Sequence, residues 1–181
     1  MSTFMLPFPD KVLTGHFGKI RTIKGKKTQP HRGTDWAPKR GTPIPAVSNG
    51  TVMLVQYSKV LGWVLVQSVK GFEGKVMYVG YCHMDTEPVL KVGDKLTTGK
   101  TIGKVGNEGF SSGAHLHATL SDSVKGVFAG NVFDLYKYLS AQIKNAPTVN
   151  VEAQKSSETP KKETKPAKPA ICPTCNQEVK K

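Results

Sequence analysis

No run of about 18 or more uncharged apolar residues occurs in this sequence, which excludes a membrane-spanning helix. The opening residues MSTFMLPFPDK have neither the basic n-region nor the apolar h-region of a secretory signal. Synthesis in a cytoplasm without an obvious export signal is therefore expected. Three cysteines in 181 residues cannot build a disulfide framework. Acids are scarce, with 13 Asp and Glu against 26 Lys and Arg, so the net charge is +13 with the histidines neutral. Residues from 151 onward hold seven Lys and four Glu, which leaves +10 on residues 1–150. Such a surface suits an anionic partner, whether nucleic acid, a membrane surface or an acidic cell-wall polymer. No known nucleic-acid module accompanies the charge, so nucleic acid is not expected as a partner.

The length allows one domain of roughly 100–150 residues and an appendage. From about Pro43 to Leu120 short β-rich runs alternate with turn residues: TVMLVQY after Asn49-Gly50, WVLVQSV after Gly62 and KVMYVGYC after Gly74. Asn-Gly before such a run signals a hairpin. KVGDKLTTGKTIGKVGN adds closely spaced glycines, and the expectation is an antiparallel, all-β core. Residues 131–144 change to a helical period, with Val132, Tyr136, Leu139 and Ile143 on one side and Asn131 as N-cap. Past Ala146 the composition becomes Pro, Thr, Ser, Lys and Glu, as expected of a flexible linker. The resulting division is a domain over 1–146, a linker over 147–170 and a short tag over 171–181 containing Cys172 and Cys175. That CxxC is half of a zinc-ribbon pattern, and a redox pair, a metal site shared between subunits and an incidental pair all stay open.

Chemistry concentrates on histidine, of which the chain has only five. In GAHLHATL, alternation along a strand puts His115 and His117 on one face with Thr119, while Ala114, Leu116 and Ala118 point the other way. One face reads as buried and the other as chemical. An isolated HxH is equally compatible with ordinary surface residues and with a metal site, so a third partner is needed. His31 and Asp35 stand as HxxxD in TQPHRGTDWAPK, where Pro30 and Gly33 argue for an irregular turn entering a strand. YCHMD supplies His83, beside which alternation turns Cys82 away as a buried apolar residue. GDKLTTGKT is not a P-loop, because five residues instead of four separate Gly93 from Gly99.

Four ordered segments together resemble the lysostaphin/LytM-like zinc metallopeptidases, which cut peptidoglycan cross-links. HRGTDWAPKRGTPIPAVSNGTV is similar to the family's HxGxD segment and the GTP that follows it, and YCHMD to its YxHL segment. KVGDKLTTGKTIGKVGNEGFSSGAHLHATL is similar to its glycine-rich run into HLH. The resemblance covers residues 12–140. It implies a small antiparallel β-sheet or barrel-like metallopeptidase domain of the duplicated-hybrid-motif type, closed by one C-terminal helix. It also implies that His31, Asp35 and His117 are ligands of Zn²⁺ and that His83 and His115 are the catalytic pair. Three protein ligands leave the fourth tetrahedral position of zinc open. His16 matches no ligand position and is expected on the surface or in the groove. Gly106-Asn107-Glu108-Gly109 stands where the family often has GNTG, and ATL replaces FEL after the HLH. Both departures sit beside the site and bear on substrate preference.

The implied function is hydrolysis of an amide bond in a peptidoglycan stem peptide or cross-bridge, with anionic wall polymers as a further attraction. Without a signal peptide, the expected source is a phage, as a tail-associated or a lysis enzyme acting on the wall from the virion or after release. The tail then offers a contact to virion tail proteins. The alternative is a noncatalytic wall-binding or structural virion protein that keeps the peptidase fold.

Overall fold

The computed structural model describes residues 3–20, 22, 23, 26–71 and 73–145. The expected linker over 147–170 and the tag with Cys172 and Cys175 lie outside the described residues. A 3₁₀ turn at Asp10–Val12 leads into β1 (Leu13–Gly15), β2 (Thr22–Ile23), β3 (Lys26–Lys27), β4 (Thr34–Trp36) and β5 (Pro43–Pro45). Three nine-residue strands follow: β6 (Gly50–Ser58), β7 (Gly62–Lys70) and β8 (Val76–Met84). Then come β9 (Lys95–Leu96), β10 (Thr101–Lys104), β11 (Leu116–Ser121), β12 (Val132–Phe133) and α1 (Leu135–Lys144).

The main sheet runs β1-β4-β11-β8-β7-β6-β9, with β12 added to β11, and every pairing in it is antiparallel. The mainly β architecture with a single helix thus matches the expected fold class. The long central strands alternate β-branched and aliphatic residues, and one face of the sheet buries Trp36, Leu65, Tyr81, Leu116 and Leu120 with Leu135 and Leu139 of the helix. Fully burying a side chain of this size contributes about 1.5–3 kcal/mol. One buried polar chain crosses this core: the Tyr81 hydroxyl donates to Gln67 Oε1 at 2.6 Å and accepts the Val47 amide at 3.1 Å.

Two local expectations change. Asn49-Gly50 does not close a hairpin, because β5 pairs with β10 instead of β6. Asn49 Oδ1 instead accepts the Thr98 amide at 2.9 Å, and a Cβ on Gly50 would lie 1.9 Å from the Ser68 carbonyl oxygen. Glycine is needed there for close strand approach. The helix begins at Leu135, not near Asn131, because Val132 and Phe133 pair with Ser121 and Leu120 as β12. Asp134 is the N-cap and accepts the Lys137 amide at 2.9 Å. The helix consequently buries Leu135, Leu139 and Gln142, while Tyr136 is half-buried and Ile143 is 39% exposed.

The HxH face is buried beyond the histidines: Thr119 is buried, and Val127, from the segment after β11, packs with Val64, Val66 and Cys82 as a second, smaller core.

Candidate metal centre

Strand register assembles the centre. His117 of β11 lies directly opposite Asp35 of β4 on one side and Cys82 of β8 on the other. Directly paired residues of antiparallel strands share a face, so Asp35, His117 and Cys82 form one row. The placement of Cys82 corrects the expectation that it turns away from the site. It is buried, and its thiol pKa is raised by burial and then by the Asp35 charge, which keeps it protonated.

His83 joins this face through a bulge. Leu65 pairs with Tyr81 and Trp63 with Met84, so Cys82 and His83 together oppose Val64. His83 has φ 62°, the left-handed region that non-glycine residues seldom adopt. A bulge with such a residue re-aims a side chain at the end of a strand. Strict alternation therefore fails at this position. The Leu61 carbonyl holds the His83 amide at 2.7 Å and fixes the bend.

His31 arrives from the irregular segment ahead of β4. Gly33 makes that approach possible: a Cβ there would lie 2.6 Å from the Ala118 carbonyl oxygen and 2.7 Å from both Cε1 and Nε2 of His117. The invariable consequence of a side chain at this position is displacement of the His117 ring or of β11.

The donor atoms form a tight triangle. His117 Nδ1 is 2.8 Å from Asp35 Oδ1, His31 Nε2 is 3.1 Å from Asp35 Oδ1, and the two ring nitrogens are 3.1 Å apart. Ligand bonds of about 2.0–2.1 Å in a tetrahedron give donor separations of roughly 3.3–3.4 Å, close to these values. Two imidazole nitrogens and one carboxylate oxygen are also the donor chemistry that zinc takes. The three residues fit a Zn²⁺ ion, and they form a group able to hold a metal.

Backbone carbonyls fix the tautomers. A carbonyl only accepts, so Nδ1 of His31 must donate to the His16 carbonyl at 3.0 Å, and its Nε2 presents a lone pair to the triangle. Nδ1 of His83 donates to the Glu108 carbonyl at 2.7 Å, and Nδ1 of His115 to the Gly113 carbonyl at 2.8 Å. Both rings consequently present Nε2 as an acceptor. The His83 and His115 ring centroids are 4.7 Å apart, and His115 Nε2 lies 3.9 Å from Asp35 Oδ1. Burial pushes the His83 pKa down to about 4 against the opposing Glu108 hydrogen bond. Burial likewise lowers that of His117, with the Asp35 hydrogen bond opposing.

Several supporting groups were not visible in the motifs. His16 is exposed, as expected, but its carbonyl orients His31. Asp85, two residues past His83, receives Arg40 through two hydrogen bonds of 2.6 and 2.9 Å and the Asn107 amide at 2.9 Å. This clamp ties the end of β8 to the loop whose Glu108 carbonyl holds His83 and whose Gly106 carbonyl accepts the His115 amide at 3.1 Å. The only sequence signal was the acid in YCHMD, which has no strand partner in the linear pattern.

Residues 29–133, more than half of the chain, match the family described as Peptidase family M23. Peptidoglycan DD-endopeptidase ShyA of Vibrio cholerae is 33% identical over 96 residues, 52% of this chain and 21% of that protein. An uncharacterized metalloprotease of Buchnera aphidicola is 33% identical over 93 residues, 51% of this chain and 23% of that one. The chain therefore spans less than a quarter of the length of these curated relatives. Among solved structures, the catalytic domain of the prophage-encoded M23 protein EnpA from Enterococcus faecalis aligns with a TM-score of 0.57 and 30% identity. That alignment covers 70% of this chain and 91% of that one. The catalytic domain of the antimicrobial peptidase lysostaphin from Staphylococcus simulans gives a TM-score of 0.58 and 26% identity, over 71% of this chain and 91% of that one. The segments bearing His31, Asp35, His83, His115 and His117 all fall inside the matched region, and the chain belongs to peptidase family M23.

Proposed function

We propose that this chain is a zinc-dependent endopeptidase that hydrolyses amide bonds in peptidoglycan stem peptides or cross-bridges. His31, Asp35 and His117 hold the zinc in this reading, and His83 and His115 act on the substrate. The observation that carries it is the convergence of all five residues on one sheet face, with the donor triangle at 2.8–3.1 Å and two tautomer-fixed imidazoles beside it. The substrate class is supported by ShyA, named a peptidoglycan DD-endopeptidase, and by the family shared with it.

Zinc bound at the triangle supplies Lewis acidity, polarising a carbonyl and lowering the pKa of water. The chain's own residues handle the protons. Nε2 of His83 or His115 takes a proton from the attacking water and passes it to the leaving amine nitrogen. Before the proton is passed on, that Nε2–H donates a hydrogen bond to the negative charge developing on the carbonyl oxygen. The carbonyls of Glu108 and Gly113 hold the Nδ1–H of each ring, so that Nε2 is the acceptor whenever the ring is neutral.

Residues 1–146 are the peptidase unit in this proposal, and residues 147–181 tether it. Truncation after Ala146 should leave turnover of a small soluble peptide unchanged. The proposed origin is a phage, with the enzyme carried on the virion tail or released at lysis, supported by the prophage-encoded neighbour EnpA. Mass spectrometry of purified particles tests the tail location. For the activity itself, the full chain is stripped with a chelator and reloaded with zinc before digestion of walls of several chemotypes. Zinc-restored release of peptide fragments is expected. Full zinc occupancy with no cleavage of any wall would favour the noncatalytic reading.

A further inference from the structure

We propose that the two flanks of the metal centre select opposite kinds of residue, a carboxylate-bearing residue on the His31 side and a small uncharged one on the His115 side. The inference rests on the peptidase reading above and specifies its substrate. A cavity of about 580 Å³ opens beside His31 and His117. Lys19 and Arg32 line it, together with an apolar wall that includes Val60, Leu61, Val127 and Phe128, and no carboxylate lines it. Neither cation has a carboxylate partner among the described residues.

Arg32 is braced without being neutralised. One of its terminal nitrogens donates to the Gly130 carbonyl at 2.9 Å and to the Gly126 carbonyl at 3.4 Å. The guanidinium plane is thereby oriented, while its charge and its remaining N–H groups stay available. A planar fork of this kind matches a carboxylate in two parallel hydrogen bonds. Both cations are exposed, so solvent and salt screen their charge and the geometry of the fork carries the recognition.

The other flank has the opposite character. A cavity of about 290 Å³ beside Asp35 and His115 is lined by Thr14, Ala37 and the Ser112–Ala114 segment. It contains no cation and its volume is half that of the first, so its lining offers a carboxylate no partner. Glycine or alanine fits this space. The amide selected is therefore one that joins, or lies next to, an acidic residue on one side and a small residue on the other.

The test uses the full chain loaded with zinc and two peptides of wall-stem type. They differ only in whether one residue beside the small amino acid carries a carboxylate or the corresponding carboxamide. The carboxylate peptide should be preferred in kcat/KM by about tenfold or more, mainly through KM, the scale of a hydrogen bond to a charged group. Lys19→Gln should reduce that preference and Lys19→Glu should invert it. Arg32→Lys, which keeps charge but loses the fork, should retain part of it. Equal kcat/KM for the two peptides in the wild type overturns the inference while leaving the peptidase reading intact. So does an unchanged preference in a Lys19→Gln, Arg32→Gln double variant. If neither peptide is cleaved, the peptidase reading fails, and calorimetric binding of the same pair decides the subsite: tighter binding of the carboxylate form supports it, and equal binding rejects it.

Discussion

Nδ1 of His83 donates to the Glu108 carbonyl oxygen across 2.7 Å, from a residue whose backbone is held at φ 62°. The hydrogen bond and the bend act together: one sets the tautomer, the other points the ring at the centre. His83→Ala should keep zinc and lower turnover by about 10²–10⁴-fold, the range for a lost general acid or base. His83→Asn should fold as well as the parent, because asparagine tolerates the left-handed region, yet remain as inactive as the alanine variant. His83→Val should unfold earlier, since strain of this kind costs about 1–3 kcal/mol. Thermal melts beside turnover separate the three.

Metal content distinguishes His117 from His115 on the same strand face. His117→Ala, His31→Ala and Asp35→Ala each remove a corner of the donor triangle and should lose zinc and activity together. His115→Ala should keep one zinc per domain while turnover falls by about 10²–10⁴-fold. Zinc stoichiometry by atomic spectroscopy gives the comparison. If His115→Ala empties the site and His117→Ala does not, the two roles are reversed.

Gly33→Ala places a methyl group 2.6 Å from the Ala118 carbonyl oxygen and 2.7 Å from the His117 ring. Neither the backbone of β11 nor the His117 ring can move without changing the triangle. Zinc affinity should fall about 10–100-fold, the scale seen when groups behind metal ligands are altered. Competition with a chromogenic chelator measures it.

The metal-free protein should lose stability on mild acidification. The unfolded chain protonates a histidine near 6.5, while burial keeps folded His83 neutral down to about 4. Between those values the unfolded state binds more protons, so stability falls as pH falls through this window and levels off below it. The shift at His117 has the same direction. Urea midpoints across pH 7 to 4 should decline, and less so in His83→Asn.

Asp85→Ala tests the clamp. The Arg40–Asp85 pair is solvent-accessible, and exposed ion pairs contribute only about 0–1 kcal/mol. Melting temperature should therefore change little. The loop carrying the Gly106 and Glu108 carbonyls, however, loses its anchor, and kcat should fall about tenfold with zinc retained, as for partners that orient functional side chains. A large loss of melting temperature with unchanged kcat would make the clamp merely structural.

Much of the centre was present in the linear pattern. The period of two along GAHLHATL put His115 and His117 on one face, and the turn residues around His31 correctly located the entry into β4. The β-rich runs mapped onto the three long strands because alternating aliphatic residues are a local property. The glycines and prolines between those runs are local punctuation in the same sense.

Tertiary structure decided what depends on partners distant in sequence. Asn49-Gly50 reads as a hairpin until β10 takes β5, and residues 132–133 read as helix until β11 offers an edge. Alternation assigned Cys82 and His83 to opposite faces, but the bulge against β7 brought both to the site. The residue types proposed to bind and react are thus written in the sequence, because metal and proton chemistry belong to side chains. Their 2.8–3.1 Å separations, the choice of Nε2 or Nδ1 on each ring, and the unequal charge of the two flanks were fixed only when Asp35 and His117, 82 residues apart on paired strands, were packed with the irregular segment bearing His31 and the loop bearing Glu108, since register and close packing are properties of pairs that no local pattern encodes.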